Sequence, residues 1–164
     1  MNGANVLDFN GASFLERAET VPASGDIAFH MALVMDATAN SFEAVLSLEA
    51  TNDFQIDTNR DTQFDGRLNA TRIGNSVPLS GGPFSDGLIL SAVFDRTGAA
   101  LAEVFISNVS RGSLSYLMSV DAAAMLNVMT NRSQNAWVDG AVAEVIVTGN
   151  VSNRSDYHSY LANK

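Results

Sequence analysis

The clearest pattern in the chain lies between Ile27 and Met35, where Ile27, Phe29, Met31, Leu33 and Met35 take every second position and Ala28, His30, Ala32 and Val34 fall between them. A repeat of two belongs to a strand whose side chains point alternately to opposite faces. The same alternation recurs through Ala44, Leu46 and Leu48 within 43–49, Phe54 and Ile56 within 53–58, and Phe64, Gly66 and Leu68 within 63–70. It predicts further strands over 88–95 and 101–109, a hairpin turning at Arg96-Thr97-Gly98, and over 113–118 after a turn at Arg111-Gly112. Strands are also expected over 5–9, 13–17 and 126–130, with a turn at Asn10-Gly11 and a loop marked by Pro22 and Ser24-Gly25. Pro78, Gly81-Gly82-Pro83 and Gly87 predict that 75–87 is a loop, because such residues cannot keep a regular ladder.

The last strand is the most apolar. Asp139-Gly140 reads as a turn or bulge, after which Ala141, Ala143, Val145 and Val147 face one way while Val142, Ile146 and a lone Glu144 face the other. Both faces being mostly apolar, this strand is expected between two layers. Asp121 to Met125 has helical propensity but is too short to stand alone. One helix is predicted after it, capped by Ser152 and laying Tyr157, Tyr160 and Leu161 on a sheet edge. About ten to twelve short strands separated by turns point to two antiparallel sheets packed face to face. Phe29, Met31, Leu33, Phe54, Phe94, Val104, Ile106, Val145 and Val147 are the predicted core.

Both ends of the chain resemble one family. An aromatic, Trp137, precedes Asp139-Gly140, then Ala-Glu-Val-Ile-Val over 143–147 and a helix ending in Tyr160-Leu161-Ala162-Asn163-Lys164. Val6-Leu7-Asp8-Phe9-Asn10-Gly11 is similar to the opening strand of the same laminin-G-like, concanavalin A-like domains, and Asp95-Arg96-Thr97-Gly98 matches one of their turns. The resemblance implies an all-β, two-sheet antiparallel jelly-roll sandwich with one short C-terminal helix, spanning 1–164 as a single domain. It implies two departures as well. Asn108-Val109-Ser110-Arg111-Gly112 replaces a tight Asn-Gly turn, so a longer loop is expected there, and the family commonly continues past its final helix, so the C-terminus at Lys164 reads as cut. Lectins, glycosidases and structural modules share this fold, which leaves function open.

Charge narrows the partners. Eighteen acidic against nine basic residues give a formal charge of -9, and Lys164 is the only lysine. Such a field repels phosphate backbones and anionic lipid surfaces, so neither nucleic acid nor membrane is expected as a partner. The apolar run from Ile27 to Met35 is far shorter than the roughly twenty residues of a membrane-spanning helix. The start, Met1-Asn2-Gly3-Ala4-Asn5, lacks the features of a signal peptide. The absence of cysteine excludes disulfides, thiolate metal sites and a cysteine nucleophile.

No catalytic residues are assigned. Glucan-cutting jelly rolls carry Glu-x-Asp-x-x-Glu on one strand, which is missing; Glu43 and Glu49 sit near opposite ends of one strand and read as solvated charges. Glu144 reads as a carboxylate tied to an arginine or to backbone donors, His30 as a satisfied strand residue, and His158 as an exposed one. No Asp-His-Ser arrangement accompanies either histidine. Asp57, Asn59 and Asp61 occupy calcium-loop spacing, but Thr62 and Leu68 stand where glycine and glutamate are required, which excludes an EF-hand. A looser calcium site stays open beside a plain polar turn, and no cofactor is assigned.

A sugar ring offers an apolar face and a belt of hydroxyls, so it calls for an aromatic plate ringed by planar polar groups. Trp137 is the one tryptophan, and Asn59, Arg60, Asp61 and Asp65 are the candidate polar groups; alternatively Trp137 fills the core. Sequons at Asn69, Asn108, Asn131, Asn150 and Asn153 fit an Asn- and Ser-rich surface. The expected function is a non-catalytic, lectin-like surface module of a phage virion, as capsid decoration or fibre, with a structural or host-glycan-binding role. Its expected partners are further copies of itself or other virion proteins, and its place the virion surface or the extracellular space after lysis. The alternative is a carbohydrate-binding appendage of a larger secreted glycan-active enzyme.

Overall fold

A computed structural model describes residues 7–10, 15–17, 25–35, 44–49, 54–58, 68–72, 75–81, 87–95, 101–115, 125–130, 138–149 and 151–164. Along these run β1 (Leu7–Asn10), β2 (Leu15–Arg17), β3 (Ile27–Met35), β4 (Ala44–Glu49), β5 (Phe54–Thr58), β6 (Leu68–Arg72), β7 (Asn75–Pro78), β8 (Leu88–Asp95), β9 (Leu101–Ile106), β10 (Val109–Ser115), β11 (Met125–Val128), β12 (Asp139–Thr148) and α1 (Arg154–Ala162). Two six-stranded sheets result, sheet A in the order β1-β12-β3-β8-β9-β10 and sheet B in the order β2-β11-β4-β5-β6-β7. Every pairing is antiparallel. The fold is the expected two-sheet antiparallel jelly-roll sandwich with one short C-terminal helix.

The core forms where the alternating positions of the two sheets meet. Phe29, Met31, Leu33, Phe54, Phe94, Val104 and Ile106 are buried as expected, and Val145 and Val147 pack against them part-buried. Phe94 of sheet A holds the layers together: its ring meets Phe54 of sheet B edge-on at 4.8 Å and Phe29 at 5.7 Å. Edge-to-face contact places the positive rim of one ring on the negative face of another.

Several expectations are corrected, each by local backbone geometry. The register of β12 against β3 jumps between Val142 and Glu144. Ala143 is therefore the extra residue of a bulge, and Val142 shares the inner face with Val145 and Val147 while Ala141, Glu144 and Ile146 turn outward. Asp139 and Gly140 are ladder residues rather than a turn, since Gly140 pairs with Met35 on one side and Phe9 on the other. A Cβ at Gly140 would collide with the carbonyl oxygen of Val34, so glycine is needed for the close approach of the strands.

The second hairpin turns at Ser107-Asn108, not at Arg111-Gly112. Both residues have positive φ, 49° and 65°, the geometry of a two-residue turn that matches strand twist. The expected longer loop is therefore absent, and the shift between Ser110 and Gly112 places Arg111 in a bulge of β10. Asn75 to Pro78, expected as loop, forms the edge strand β7, where a proline lacking its N–H is tolerated. The helix begins one residue later than expected, with Asn153 at its N-cap position and no side-chain capping bond.

Candidate functional site

Each sheet has one face toward the core and one away from it, and the two outer faces differ. On sheet A, α1 packs over β3 and β8, on the sheet face rather than on its edge. Leu161 is its one buried residue. His30 on β3 is wholly buried; its Nδ1 lies 2.8 Å from Ser91 Oγ and its ring stacks on Tyr157 at 4.8 Å. Its Nε2 has no hydrogen-bond partner, so the expected satisfied histidine is only half satisfied. Burial, with the Arg154 guanidinium nearby, lowers its pKa from 6.5 to about 4.

Arg154 lies 3.8 Å over the Phe105 ring and donates to Asn108 at the hairpin tip. Glu144, thrown outward by the bulge, accepts from the Tyr160 hydroxyl at 3.1 Å and pairs with Lys164 at 3.3 Å. Its partners are thus a phenol and a lysine on the helical segment, not the expected arginine or backbone donors. The lysine's hydrogen bond to Tyr160, then its bond to Glu144 and the glutamate's charge, raise the Lys164 pKa above its usual value.

Sheet B carries a different surface. Register aligns Asn127 on β11 with Ser47 on β4 and Gln55 on β5. These residues alternate with the inward-facing Leu46, Ile56 and Val128, so they form a polar row on the outer face. One step along the same face, Asp57 pairs with Asn69 across the ladder from β5 to β6. Gln55 Nε2 donates to Asp57 Oδ2 at 2.6 Å, and Ser47 Oγ donates to the Thr130 carbonyl at 3.1 Å. Ser47, Asp57, Asn69, Asn127 and Thr130 are all buried, and Gln55 is half-buried. Among the described residues, Asn127 Nδ2 and Oδ1 and Thr130 Oγ1 have no hydrogen-bond partner. A buried polar group left unpaired costs about 1 to 3 kcal/mol, so this cluster is held at a disadvantage that a ligand's hydroxyls or ordered water would relieve.

The expected sugar-site residues Asn59, Arg60, Asp61, Asp65 and Trp137 lie outside the described residues, as do Glu43, Thr62 and Asp121 to Ala124. The described residues beside them share one end of sheet B. The connection carrying 59–67 leaves at Thr58 and returns at Leu68, which are register partners. The connection carrying 131–137 leaves at Thr130 and returns at Val138, whose N–H donates to Met129 O, and Met129 N–H donates to Val45 O. Ala44, next to Val45, is opposite Asp57. Both connections therefore start where the polar row ends. Asp57, which headed the expected calcium spacing, is a buried ladder residue of β5 rather than a loop ligand. Among the described residues, no group of three or more His, Asp or Glu could hold a metal ion.

Ser47, Gln55, Asn69 and Asn127 were not anticipated as site residues, although a signal exists. Each is a single polar residue between two apolar ones: Leu46-Ser47-Leu48, Phe54-Gln55-Ile56, Leu68-Asn69-Ala70 and Leu126-Asn127-Val128. A polar residue at the alternate position of a strand is ordinary; that three of these pair into one row, with Asn69 one step along the same face, is not visible until the register is known.

No family model matches the chain, and no curated protein sequence matches it. Solved structures do match in shape. The CBM40 of the Ruminococcus gnavus IT-sialidase, bound to α2,3-sialyllactose, superposes with a TM-score of 0.69 at 7% identity, covering 95% of this chain and 96% of that one. A Trypanosoma rangeli sialidase in complex with sialic acid gives 0.69 at 14% identity, covering 96% of this chain but 27% of the sialidase chain. Domains LG4-5 of the mouse laminin α1 chain give 0.60 at 11% identity, covering 90% of this chain and 43% of that one. At these identities the matches define the fold.

Proposed function

We propose that this chain is a non-catalytic glycan-binding module. Its ligand is taken on the outer face of sheet B, at the end from which 59–67 and 131–137 depart. The observation that carries the reading is the polar row through Asn127, Ser47 and Gln55, with the Asn127 amide buried and unpaired beside it. The similarity to a CBM40 bound to sialyllactose over nearly the full length of both chains supports it. Amides, hydroxyls and a carboxylate are the groups that hydrogen-bond sugar hydroxyls, and none of them forms an activated nucleophile or a close acid and base pair in the described site.

A glycan array probed with the whole chain tests the reading. The chain with Asn59, Arg60 and Asp61 all changed to alanine should lose glycan retention while melting at nearly the wild-type temperature. Retention that survives the triple change would move the ligand away from this end of the sheet. Fluorogenic glycosides should be bound or ignored but not turned over, and measurable hydrolysis would end the non-catalytic reading.

For its setting, we propose a phage virion surface reached on lysis, where the chain acts as a symmetric oligomer or beside other virion proteins. An acidic surface with a single lysine supports this, since arginines make less flexible contacts between chains than lysines. Co-sedimentation with particles and a multimeric mass in solution would bear on it. The appendage reading is favoured by one observation: the matched CBM40 is named as part of a sialidase, and the matched Trypanosoma sialidase is several times longer than this chain. A catalytic domain encoded in the same open reading frame would decide for it.

A further inference from the structure

Resting on the glycan-binding reading, we infer that Asn127 and Thr130 are the pair that reads the ligand, and that they read neighbouring hydroxyls on an uncharged sugar rather than the carboxylate of an acidic one. Both side chains are wholly buried, and three of their polar atoms have no partner among the described residues: Asn127 Nδ2, Asn127 Oδ1 and Thr130 Oγ1. Ser47 lies between them, opposite Asn127 in the ladder and bonded through its Oγ to Thr130 O, which ties the two residues to one spot on sheet B. Gln55, next in the row, is half-buried, so the row reaches solvent on its β5 side.

The chemistry of the unpaired atoms selects the ligand. Asn127 presents a donor and an acceptor side by side, and the Thr130 hydroxyl is both at once. A hydroxyl group also donates and accepts, so two adjacent hydroxyls can satisfy the amide at both of its ends and leave Thr130 a partner. A carboxylate only accepts. Placed here it would satisfy Nδ2, leave Oδ1 unpaired, and bring a second negative charge into the row that holds Asp57. The sialic acids named for the matched structures carry such a carboxylate, so this pair separates the chain's preference from theirs.

Two calorimetric titrations test this, using lactose and α2,3-sialyllactose as probes against wild type and Asn127→Leu. Leucine keeps asparagine's branched outline and removes both unpaired atoms, so relief of the unpaired amide offsets the extra room its methyl groups need and the variant should fold about as stably as wild type. The expected result is that lactose binds wild type at least as tightly as sialyllactose and that Asn127→Leu binds about tenfold more weakly, with no loss in melting temperature. Sialyllactose binding tenfold tighter than lactose would overturn the inference, as would an Asn127→Leu variant that binds like wild type. If the glycan array retains other glycans while wild type binds neither probe, the same comparison is run on a retained neutral glycan and its carboxylated form. If the array is blank, the glycan-binding reading fails first and this inference with it.

Discussion

Acid should loosen the contact between α1 and sheet A through a single side chain. His30 is buried against Tyr157 with its Nε2 unpaired, and its pKa falls from the ordinary 6.5 to about 4 in the folded chain. The native state therefore holds this imidazole neutral at a pH where the unfolded chain protonates it. Below about pH 6.5 the unfolded state binds the extra proton, so stability is intact above that value and declines as pH falls, until the folded histidine also protonates near pH 4. The difference corresponds to about 3 kcal/mol, a large share of the roughly 5 to 15 kcal/mol that holds a domain together. The neighbouring elements offer no relief. Arg154 on α1 is a second cation, Ser91 on β8 is neutral, and the Glu144 carboxylate on β12 is engaged by Tyr160 and Lys164.

Urea unfolding of wild type and His30→Phe across this pH range isolates the effect. Phenylalanine keeps a ring against Tyr157 and cannot titrate, while the common decline from protonating carboxylates affects both proteins. The wild type should lose about 3 kcal/mol more than the variant between about pH 6.5 and pH 4. Amide exchange over 154–162 should accelerate first, since α1 buries little besides Leu161. Parallel pH profiles for the two proteins would refute the reasoning.

Three further outcomes follow from the geometry. Phe94→Ala should cost about 3 to 5 kcal/mol in denaturant unfolding, because the ring sits between Phe29 and Phe54 and its loss opens a cavity between the sheets. Gly140→Ala should lower the melting temperature more than an alanine substitution at an exposed site such as Ser113, since its Cβ meets Val34 O and β1 and β3 both flank the position. Asn108→Gly should be tolerated and Asn108→Ala should cost about 1 kcal/mol more, because only the latter is strained at positive φ, while both lose the bond from Arg154; equal melting of the two would contradict the turn assignment.

The inner half of this fold is legible in the chain and the outer half much less so. Ile27 to Met35 alternates without interruption, and it lies where the alternation implies, in the interior of sheet A beside an equally regular β8. The alternation misleads where the backbone gains a residue: Ala143 enters β12 as a bulge, and every side chain before it changes face. Nothing in Ala-Val-Ala-Glu marks which residue is extra. The turn at Ser107-Asn108 escaped for a similar reason, as serine seldom adopts positive φ and Gly112 nearby looks the better turn residue. The polar row was written into β4, β5, β6 and β11 one residue at a time, and only strand pairing joins Asn127 to Ser47 and Gln55 across so much sequence.

The contrast between the two outer faces is what favours sheet B as the place of the proposed glycan contact. On sheet A the chain supplies its own cover: Tyr157 lies on His30, Arg154 on Phe105, and Glu144 is engaged from Tyr160 and Lys164, all from α1 and the two residues after it. The unpaired His30 Nε2 lies beneath a stacked ring in a setting that disfavours any charge. On sheet B the unpaired atoms belong to an amide and a hydroxyl, groups that are both donor and acceptor, joined through Ser47 and continued to Gln55 at the solvent boundary. Unpaired polar groups persist in a marginally stable fold only where something offsets their cost, and an amide and a hydroxyl beside a polar row are better matched to the hydroxyl belt of a sugar than to any apolar surface.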